Sequence, residues 1–166
     1  MSILEKTTYA CLISVSVVSL YILLEARYSR HEQPSEKSVV GSKANLAGAN
    51  WGSNSKNVVL LLRTGCHFCA ESLPLYRKLS AIRREKGDGL RILVASWDPP
   101  DVMRKYLSEQ NISVDDILPC RTGIAGIAAT PAMFFVDARG VIRKALIGRL
   151  NESGEEQVLG LLHGPL

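Results

Sequence analysis

The sequence has little of what marks several large classes of protein. Its 166 residues include four cysteines and 6% aromatic residues, and the net charge of +4 is spread in singles and pairs without a long basic run. So few cysteines exclude a scaffold built on disulfides, and this charge pattern argues against nucleic acid as a partner. No phosphate loop, dinucleotide fingerprint or haem-attachment motif is present, so no diffusible cofactor is implied. What is there is a chain of ordinary globular composition, long enough for one compact domain and an attached segment.

The first apolar stretch of the chain is typical of a membrane anchor. From Thr7 to Leu24 there are 18 residues without a charge, which is the lower limit for a helix that spans a bilayer. The following residues, up to Arg27, lack the A-x-A-like arrangement of small side chains that a signal-peptidase site needs. We therefore predict that residues 1–28 form an N-terminal tail and a single uncleaved transmembrane anchor. Cys11 stands inside the stretch, where a small apolar side chain facing lipid is the expected role.

The charges on the two sides of this stretch disagree with an exported domain. Lys6 and the terminal amine precede the stretch, whereas Arg27, Arg30 and Lys37 follow it, and the positive-inside rule slightly favours a cytoplasmic C-terminus. Residues 29–50 are rich in Ser, Gly and Asn and show no sustained periodicity, so we predict a linker there. The folded domain is predicted over residues 51–166.

The remainder of the chain begins by alternating apolar strands with amphipathic helices. The continuous apolar runs Val58–Leu62 and Arg91–Ser96 are typical of strands that are buried on both faces. An apolar stripe over residues 67–86 predicts an amphipathic helix between them, and a second helix is predicted near residues 99–110. This order is typical of an α/β protein.

The last third of the chain predicts a hairpin and a closing helix. The apolar segments Pro131–Asp137 and Val141–Gly148 are separated by three residues, the length of a hairpin connection, so the two strands should pair antiparallel. Ser153 and Glu156 have the spacing of a capping box ahead of an amphipathic segment. Together with the preceding alternation, this predicts an α/β sandwich with a mixed sheet.

Two of the cysteines, Cys66 and Cys69, are separated by two residues at the predicted start of a helix. At this spacing the sulfurs reach bonding distance, and the first sulfur faces the unpaired N–H groups and the positive end of the helix dipole. That position lowers the pKa of a cysteine, and the thiolate is the attacking species in disulfide exchange. We predict Cys66 as the nucleophile and Cys69 as the resolving thiol. His67 either tunes the pKa of Cys66 or is an exposed loop imidazole.

Other uses of these side chains are open at this point. A structural zinc site needs four ligands, and no second close Cys/His pair exists in the sequence, so no metal site is predicted. A copper chaperone would use the two close cysteines with a remote histidine such as His163, since soft thiolates suit Cu(I). Cys120 is either a third redox partner or a buried thiol.

The segment VVLLLRTGCHFC, from Val58 to Cys69, resembles the active-site strand and turn of the thioredoxins, and Pro74 resembles the proline that kinks the helix of that family. Thr130 and Pro131, directly before AMFFVD, resemble the family's cis-proline segment, which helps to hold the extended backbone of a substrate. By this resemblance the peptide bond before Pro131 should be cis. The gap of 62 residues from Cys69 to Pro131 is similar to that of membrane-anchored, TlpA-like members, which carry an additional βα unit.

The resemblance covers roughly residues 51–164 and carries expectations for fold and function. It implies a thioredoxin-like three-layer sandwich with a mixed central sheet. It also implies thiol–disulfide exchange with protein thiols or disulfides and with a redox partner protein, using the disulfide of Cys66 and Cys69 as the redox group. Together with the anchor over residues 7–24, it places the domain in the periplasm or outside the cell, where disulfides persist.

The sequence departs from the thioredoxin pattern at two positions beside the cysteines. Gly65 stands where a tryptophan usually precedes the first cysteine, and Leu60 stands where thioredoxin has a buried acid. Leu60 therefore leaves proton handling during the exchange open. A peroxiredoxin-like peroxidase is an alternative on the same fold, but it needs a threonine three residues before its cysteine, where this chain has Arg63.

Overall fold

The computed structural model describes residues 13–21, 35–51 and 56–163. The chain divides into two units, Met1–Gln33 and Pro34–Leu166. In the first unit, residues 13–21 are helical. No helix within the described ranges is long and apolar enough to cross a bilayer. The rest of the predicted anchor, including Cys11, lies outside the described residues, so the anchor stays a prediction.

The second unit is an α/β sandwich around one five-stranded sheet. In chain order its elements are α1 (Glu36–Val39), β1 (Asn57–Leu62), α2 (His67–Glu71), α3 (Leu73–Lys86), a 3₁₀ turn (Gly87–Gly89), β2 (Arg91–Ser96), α4 (Pro100–Glu109), β3 (Asp116–Pro119), β4 (Ala132–Val136), β5 (Ile142–Ile147) and α5 (Glu152–His163). The strand order in the sheet is β3-β2-β1-β4-β5. The first three strands are mutually parallel, whereas β4 is antiparallel to both β1 and β5. The predicted α/β fold with a mixed sheet is confirmed.

The central strands are almost entirely apolar, as expected for a sheet that is covered on both faces. Alternate side chains of a strand point to opposite faces, and the side chains of β1 accordingly divide between two apolar clusters. The first cluster comprises Val58, Leu60, Leu62, Cys69, Leu75, Tyr76, Leu79, Leu90, Ile92, Val94, Met103, Leu107, Ile112, Ile117, Met133, Phe135, Leu146, Val158 and Leu162. The second cluster comprises Val39, Ala44, Leu46, Val59, Leu61, Leu93, Ala95, Leu118, Cys120, Ile124, Ile127, Ala132, Phe134, Val136, Ile142 and Ala145.

The helix predicted over residues 67–86 is broken into α2 and α3 at Ser72. Pro74 lies in the first turn of α3, where its missing N–H donor is tolerated. The Ser72 hydroxyl donates to the carbonyl oxygen of Phe68 over 2.8 Å. The break leaves α2 as a helix of five residues that follows Cys66 and contains Cys69.

The hairpin predicted between residues 131 and 148 is confirmed by the antiparallel pairing of β4 and β5. Its connection ends at Gly140, which has a φ of +75°. A Cβ atom at Gly140 would lie 2.8 Å from Cδ1 of Trp51. Glycine is therefore required here both by the backbone conformation and by the packing of the indole.

The segment predicted as a linker over residues 29–50 is partly a packed part of the domain. Val39, Ala44 and Leu46 belong to the second cluster, and the Gly41 N–H donates to the carbonyl oxygen of Ile142 over 2.8 Å. Residues 36–44 therefore lie against the β4–β5 hairpin, whereas Asn50 accepts a hydrogen bond from Arg91 of β2. The compact unit starts at residue 34 instead of residue 51. The contacts with the hairpin join residues about 100 positions apart in sequence, which local periodicity cannot detect.

Two local expectations near the ends of elements also differ from the structure. The strand β3 was not anticipated, because it is a four-residue edge strand whose last residue, Pro119, is of a type tolerated only at an edge. The closing helix α5 is capped by Asn151, whose Oδ1 accepts from the Gly154 N–H over 2.9 Å. The capping position is thus two residues before Ser153.

Candidate active site at the edge of the sheet

The sheet topology brings two segments that are distant in sequence together where β1 ends and β4 starts. Because β4 runs antiparallel to β1, the start of β4 lies beside the end of β1, with Ala132 paired to Leu61. Cys66 follows β1, and Thr130 precedes β4. The Cys66 Sγ lies 3.5 Å from the carbonyl oxygen of Thr130. The Thr130–Pro131 peptide bond is cis, as the resemblance implies.

The loop between β1 and Cys66 is held by the end of the neighbouring strand. The Ser96 hydroxyl donates to the carbonyl oxygen of Leu62 over 2.9 Å, and the Thr64 N–H donates to Oδ2 of Asp98 over 2.7 Å. Both partners lie at or just beyond the end of β2. The loop that carries the first cysteine is therefore attached to two strands of the sheet.

Cys66 is the N-cap residue of α2. The backbone N–H of Cys69 points at the Cys66 Sγ, with a distance of 3.2 Å between nitrogen and sulfur. Burial by itself raises the pKa of Cys66, but hydrogen bonds from Cys69, from Thr130 and from the backbone of Phe68 outweigh it, and the net pKa is lowered. The arrangement favours a thiolate at Cys66, which is half-buried and so reachable from solvent.

Cys69 lies in a contrasting environment one helical turn further on. It is 1% exposed and part of the first cluster. Burial, followed by a hydrogen bond with Cys66, raises the pKa of Cys69 to about 12. Both residues are free thiols in this structure. The pair therefore consists of one accessible sulfur that ionises readily and one buried sulfur that stays protonated.

His67 lies next to Cys66 but faces outward. Its side chain is 79% exposed, and its Nε2 lies 3.5 Å from Oε1 of Glu71. Glu71 is also paired with Arg149, whose Nη1 lies 3.3 Å from Oε2. The hydrogen bonds that lower the pKa of Cys66 come from other groups, so a tuning role for His67 stays a prediction.

Cys120 is remote from the cysteine pair in the layering of the domain. It is 5% exposed and belongs to the second cluster, on the face of the sheet opposite the first cluster that contains Cys69. Burial raises the pKa of Cys120. The structure therefore places it as a buried thiol, and it does not bring a third sulfur to the site.

Two tyrosines next to the cysteine pair were missed by the sequence reasoning. Tyr76 of α3 belongs to the first cluster and Tyr106 of α4 packs against it. Burial is the main cause that raises the pKa of both hydroxyls, and Cys66 and Cys69 raise them further. The available signal was a phenol on the apolar stripe of each helix, where a polar tip among apolar residues needs a partner.

Metal chemistry has no assembled ligand set in the part of the chain that the structure covers. Within the described ranges, no group of three or more His, Cys, Asp or Glu side chains could hold a metal ion. His163 is the last residue of α5. The site offers two thiols, and the reaction that two adjacent thiols perform without a further ligand is disulfide formation and exchange.

Comparison with known proteins identifies the fold. No family model matches the chain, and no curated protein matches it. A thiol:disulfide interchange protein from Bacteroides sp. is 20% identical with a TM-score of 0.59, over 75% of this chain and 91% of that chain. A thiol-disulfide isomerase from Corynebacterium glutamicum is 17% identical with a TM-score of 0.51, over 74% and 91%. A secreted disulfide oxidoreductase from Mycobacterium tuberculosis is 15% identical with a TM-score of 0.50, over 66% and 81%. The chain has a thioredoxin-like fold.

Proposed function

We propose that this protein is a thiol–disulfide oxidoreductase that acts on protein thiols and disulfides through Cys66 and Cys69. The observation that carries the proposal is the asymmetry of the two sulfurs. Cys66 caps a helix and accepts the N–H of Cys69 at 3.2 Å, whereas Cys69 is buried with a pKa raised to about 12 by burial and by its hydrogen bond with Cys66. The solved proteins of similar fold include a thiol-disulfide isomerase and a thiol:disulfide interchange protein, which supports the same reaction class here.

The exchange proceeds in two displacements. The Cys66 thiolate attacks a sulfur of the substrate disulfide, so that a Cys66–substrate disulfide forms and the other substrate sulfur leaves as a thiolate. Cys69 then loses its proton to solvent and attacks the Cys66 sulfur, which releases the second substrate thiolate and closes the Cys66–Cys69 disulfide. Two electrons pass from the cysteine pair to the substrate, and a redox partner protein returns them.

Thr130 and Pro131 are proposed to position the substrate. The Thr130 carbonyl oxygen lies 3.5 Å from the Cys66 Sγ, so a substrate backbone placed along residues 130–131 would have its own sulfur close to the nucleophile. Phe68 is 55% exposed beside the pair and offers an apolar contact to such a segment. This arrangement favours a protein substrate with an extended segment around its cysteine.

The direct test replaces single cysteines in the purified full-length protein. Cys66→Ser should abolish exchange with a protein disulfide, because no thiolate remains at the helix N-terminus. Cys69→Ser should form a mixed disulfide that is not released, because the resolving thiol is missing. Cys120→Ser is the matched control and should exchange at the rate of the unaltered protein. Exchange by the Cys66→Ser variant at an unchanged rate would remove the mechanism.

The redox potential and metal binding are measured in one further experiment. A titration of the protein against glutathione or dithiothreitol buffers, with mass detection of the thiol and disulfide forms, should show a reversible two-electron couple. Its midpoint decides whether the protein acts as a reductant or an oxidant in its compartment. Stoichiometric retention of copper by the reduced protein, in place of such a couple, would favour the copper chaperone.

We also propose that residues 7–24 anchor the protein to a membrane as a single span, with the domain in the periplasm or outside the cell. The uncharged run of 18 residues supports the anchor, and the secreted protein of similar fold supports the location. A reporter active only outside the cytoplasm, fused after Leu166, should be active. Activity of a cytoplasmic reporter at the same place would overturn the orientation.

A further inference from the structure

The hydroxyl of Tyr106 is a buried polar group without a hydrogen-bond partner among the described residues. Its Oη is inaccessible to solvent and makes no hydrogen bond with any residue that the structure describes. An unpaired buried hydroxyl is unfavourable by the free energy of its desolvation, so a phenylalanine would be the more stable choice. Such a group in a native protein calls for an explanation in function.

The position of Tyr106 points to the cysteine pair as that explanation. Its ring packs against the first cluster, which contains Cys69 and Tyr76, and Cys66 packs against the same cluster. Side chains on a helix lean toward its N-terminus, and both α3 and α4 start at the edge of the sheet that carries Cys66. The phenols of Tyr76 and Tyr106 therefore lean toward the buried side of the active site.

The two phenols differ in what their hydroxyls already do. Tyr76 is engaged by a hydrogen bond with Ser72, whereas Tyr106 is unpaired. Besides the two cysteines, the titratable groups near the pair are His67, Glu71 and Asp98, and Asp98 accepts the Thr64 N–H over 2.7 Å. His67 and Glu71 of α2 pair with each other, with His67 at the exposed surface. Among the described residues, Tyr106 thus carries the one buried hydroxyl near the pair that has no hydrogen-bond partner.

The resolving step needs a hydrogen-bond donor that can stabilise the Cys69 thiolate. Leu60, six residues before Cys66, is buried in the first cluster beside Cys69 and brings only an apolar side chain to it. Burial is the largest cause that raises the pKa of Cys69 to about 12, and it persists after Cys66 has formed a mixed disulfide. Burial therefore still keeps Cys69 largely protonated at the resolving step, and any group that stabilises its thiolate accelerates that step.

We propose that Tyr106 is a positioning residue whose hydroxyl turns toward the Cys69 sulfur as it ionises and donates a hydrogen bond to the resolving thiolate. The proposal rests on the exchange reaction proposed above. Cys69 gives its proton to solvent, its thiolate attacks the Cys66 sulfur of the mixed disulfide, and the substrate thiolate leaves, while the Tyr106 proton stays on its oxygen throughout.

The test separates the two displacements with 5,5′-dithiobis(2-nitrobenzoate) as substrate and the reduced full-length protein. The attack of Cys66 releases one thionitrobenzoate, and resolution by Cys69 releases a second, so the two steps appear as separate phases of absorbance. Tyr106→Phe should leave the first phase unchanged and slow the second about tenfold at pH 7, equivalent to about 1.4 kcal/mol. The pH midpoint of the second phase should move upward by about one pH unit.

Tyr76→Phe is the matched control, because it removes a phenol of the same cluster whose hydroxyl is already paired. It should change the second phase less than Tyr106→Phe does. If Tyr106 has only a structural role, the opposite result is expected. Tyr106→Phe would then match the unaltered protein in the rate of each phase and in the pH midpoint of the second phase, and its thermal midpoint would be unchanged or raised. That result would overturn the inference and leave the proposed function standing. Absence of the first phase in the unaltered protein would instead remove the proposed function.

Discussion

The two apolar clusters on opposite faces of the sheet each contain a buried cysteine, yet only the first cluster packs against Cys66. The first cluster contains Cys69 and packs against Cys66, whose pKa is lowered because hydrogen bonds outweigh burial. The second cluster contains Cys120, whose pKa is raised because burial outweighs its backbone hydrogen bonds. The same side chain is therefore reactive or inert according to whether a helix N-terminus faces it.

Alkylation of the reduced full-length protein should show the largest difference between the two faces. Near neutral pH, iodoacetamide should modify Cys66 at least about tenfold faster than Cys120, because each unit of pKa below the ordinary value raises the thiolate fraction about tenfold. The rate at Cys66 should reach half its maximum at a lower pH than that of an ordinary thiol. Mass mapping of modified peptides over time measures both rates, and equal rates would contradict the comparison.

Neighbouring residues of β1 provide a test of the two clusters separately. Leu60 belongs to the first cluster and Leu61 to the second, and both are at most 1% exposed. Leu60→Ala and Leu61→Ala should each lower the free energy of unfolding by about 2–5 kcal/mol. Under conditions where both variants are folded, Leu60→Ala should change the alkylation rate of Cys66 and Leu61→Ala should not. Denaturant unfolding and mass mapping measure the two effects, and an identical change in both variants would refute the separation.

A further test of the difference between the two faces uses residues 36–44, which pack on the second cluster. Oε1 of Glu36 accepts the N–H of Ile147 over 2.7 Å. Glu36→Ala should therefore lower the free energy of unfolding by about 1–2 kcal/mol and speed hydrogen exchange at the amide of Ile147. Glu85→Ala, at an exposed position of α3, is the control and should change neither. Unaltered exchange at Ile147 would show that residues 36–44 do not hold the hairpin.

The smallest expected effect is at the far end of the hairpin, away from the cysteines. Burial raises the pKa of Asp137, but hydrogen bonds from Val141, Arg143 and Arg139 outweigh it and lower the pKa to about 2. A carboxyl whose folded pKa is depressed stabilises the fold above its unfolded pKa, about 3.9, and that contribution is lost as the pH falls toward about 2.

Asp137→Asn should consequently flatten the loss of stability between about pH 4 and pH 2. Thermal unfolding at a series of pH values measures it. Asp101→Asn, at an exposed position of α4, serves as the control substitution. The alkylation rate of Cys66 should be equal in both variants, since the turn between β4 and β5 lies at the end of the sheet away from the cysteines. A changed Cys66 rate in Asp137→Asn alone would show that the two ends are coupled.

Much of this protein follows from local sequence alone. The apolar run of β1, the amphipathic stripes of α3 and α4, and the hairpin of β4 and β5 are set by side-chain periodicity and turn residues, which act within a few positions. The same local signals identify Cys66 as a helix-capping thiol and Cys69 as its neighbour one turn on. Apart from α1, the edge strand β3 and the break at Ser72, the order of strands and helices was therefore accessible without any long-range contact.

Other features exist only once distant segments meet. The packing of residues 36–44 on the hairpin, the 3.5 Å approach of the Thr130 carbonyl oxygen to Cys66 and the separation of Cys120 from the pair all depend on pairings across the sheet. The unpaired hydroxyl of Tyr106 belongs to the same group. The N–H groups that lower the pKa of Cys66 are local to its helix, but burial between distant segments is what raises the pKa of Cys69 and Cys120. The contrast between the thiols therefore needs the tertiary structure, because desolvation depends on every atom around a group.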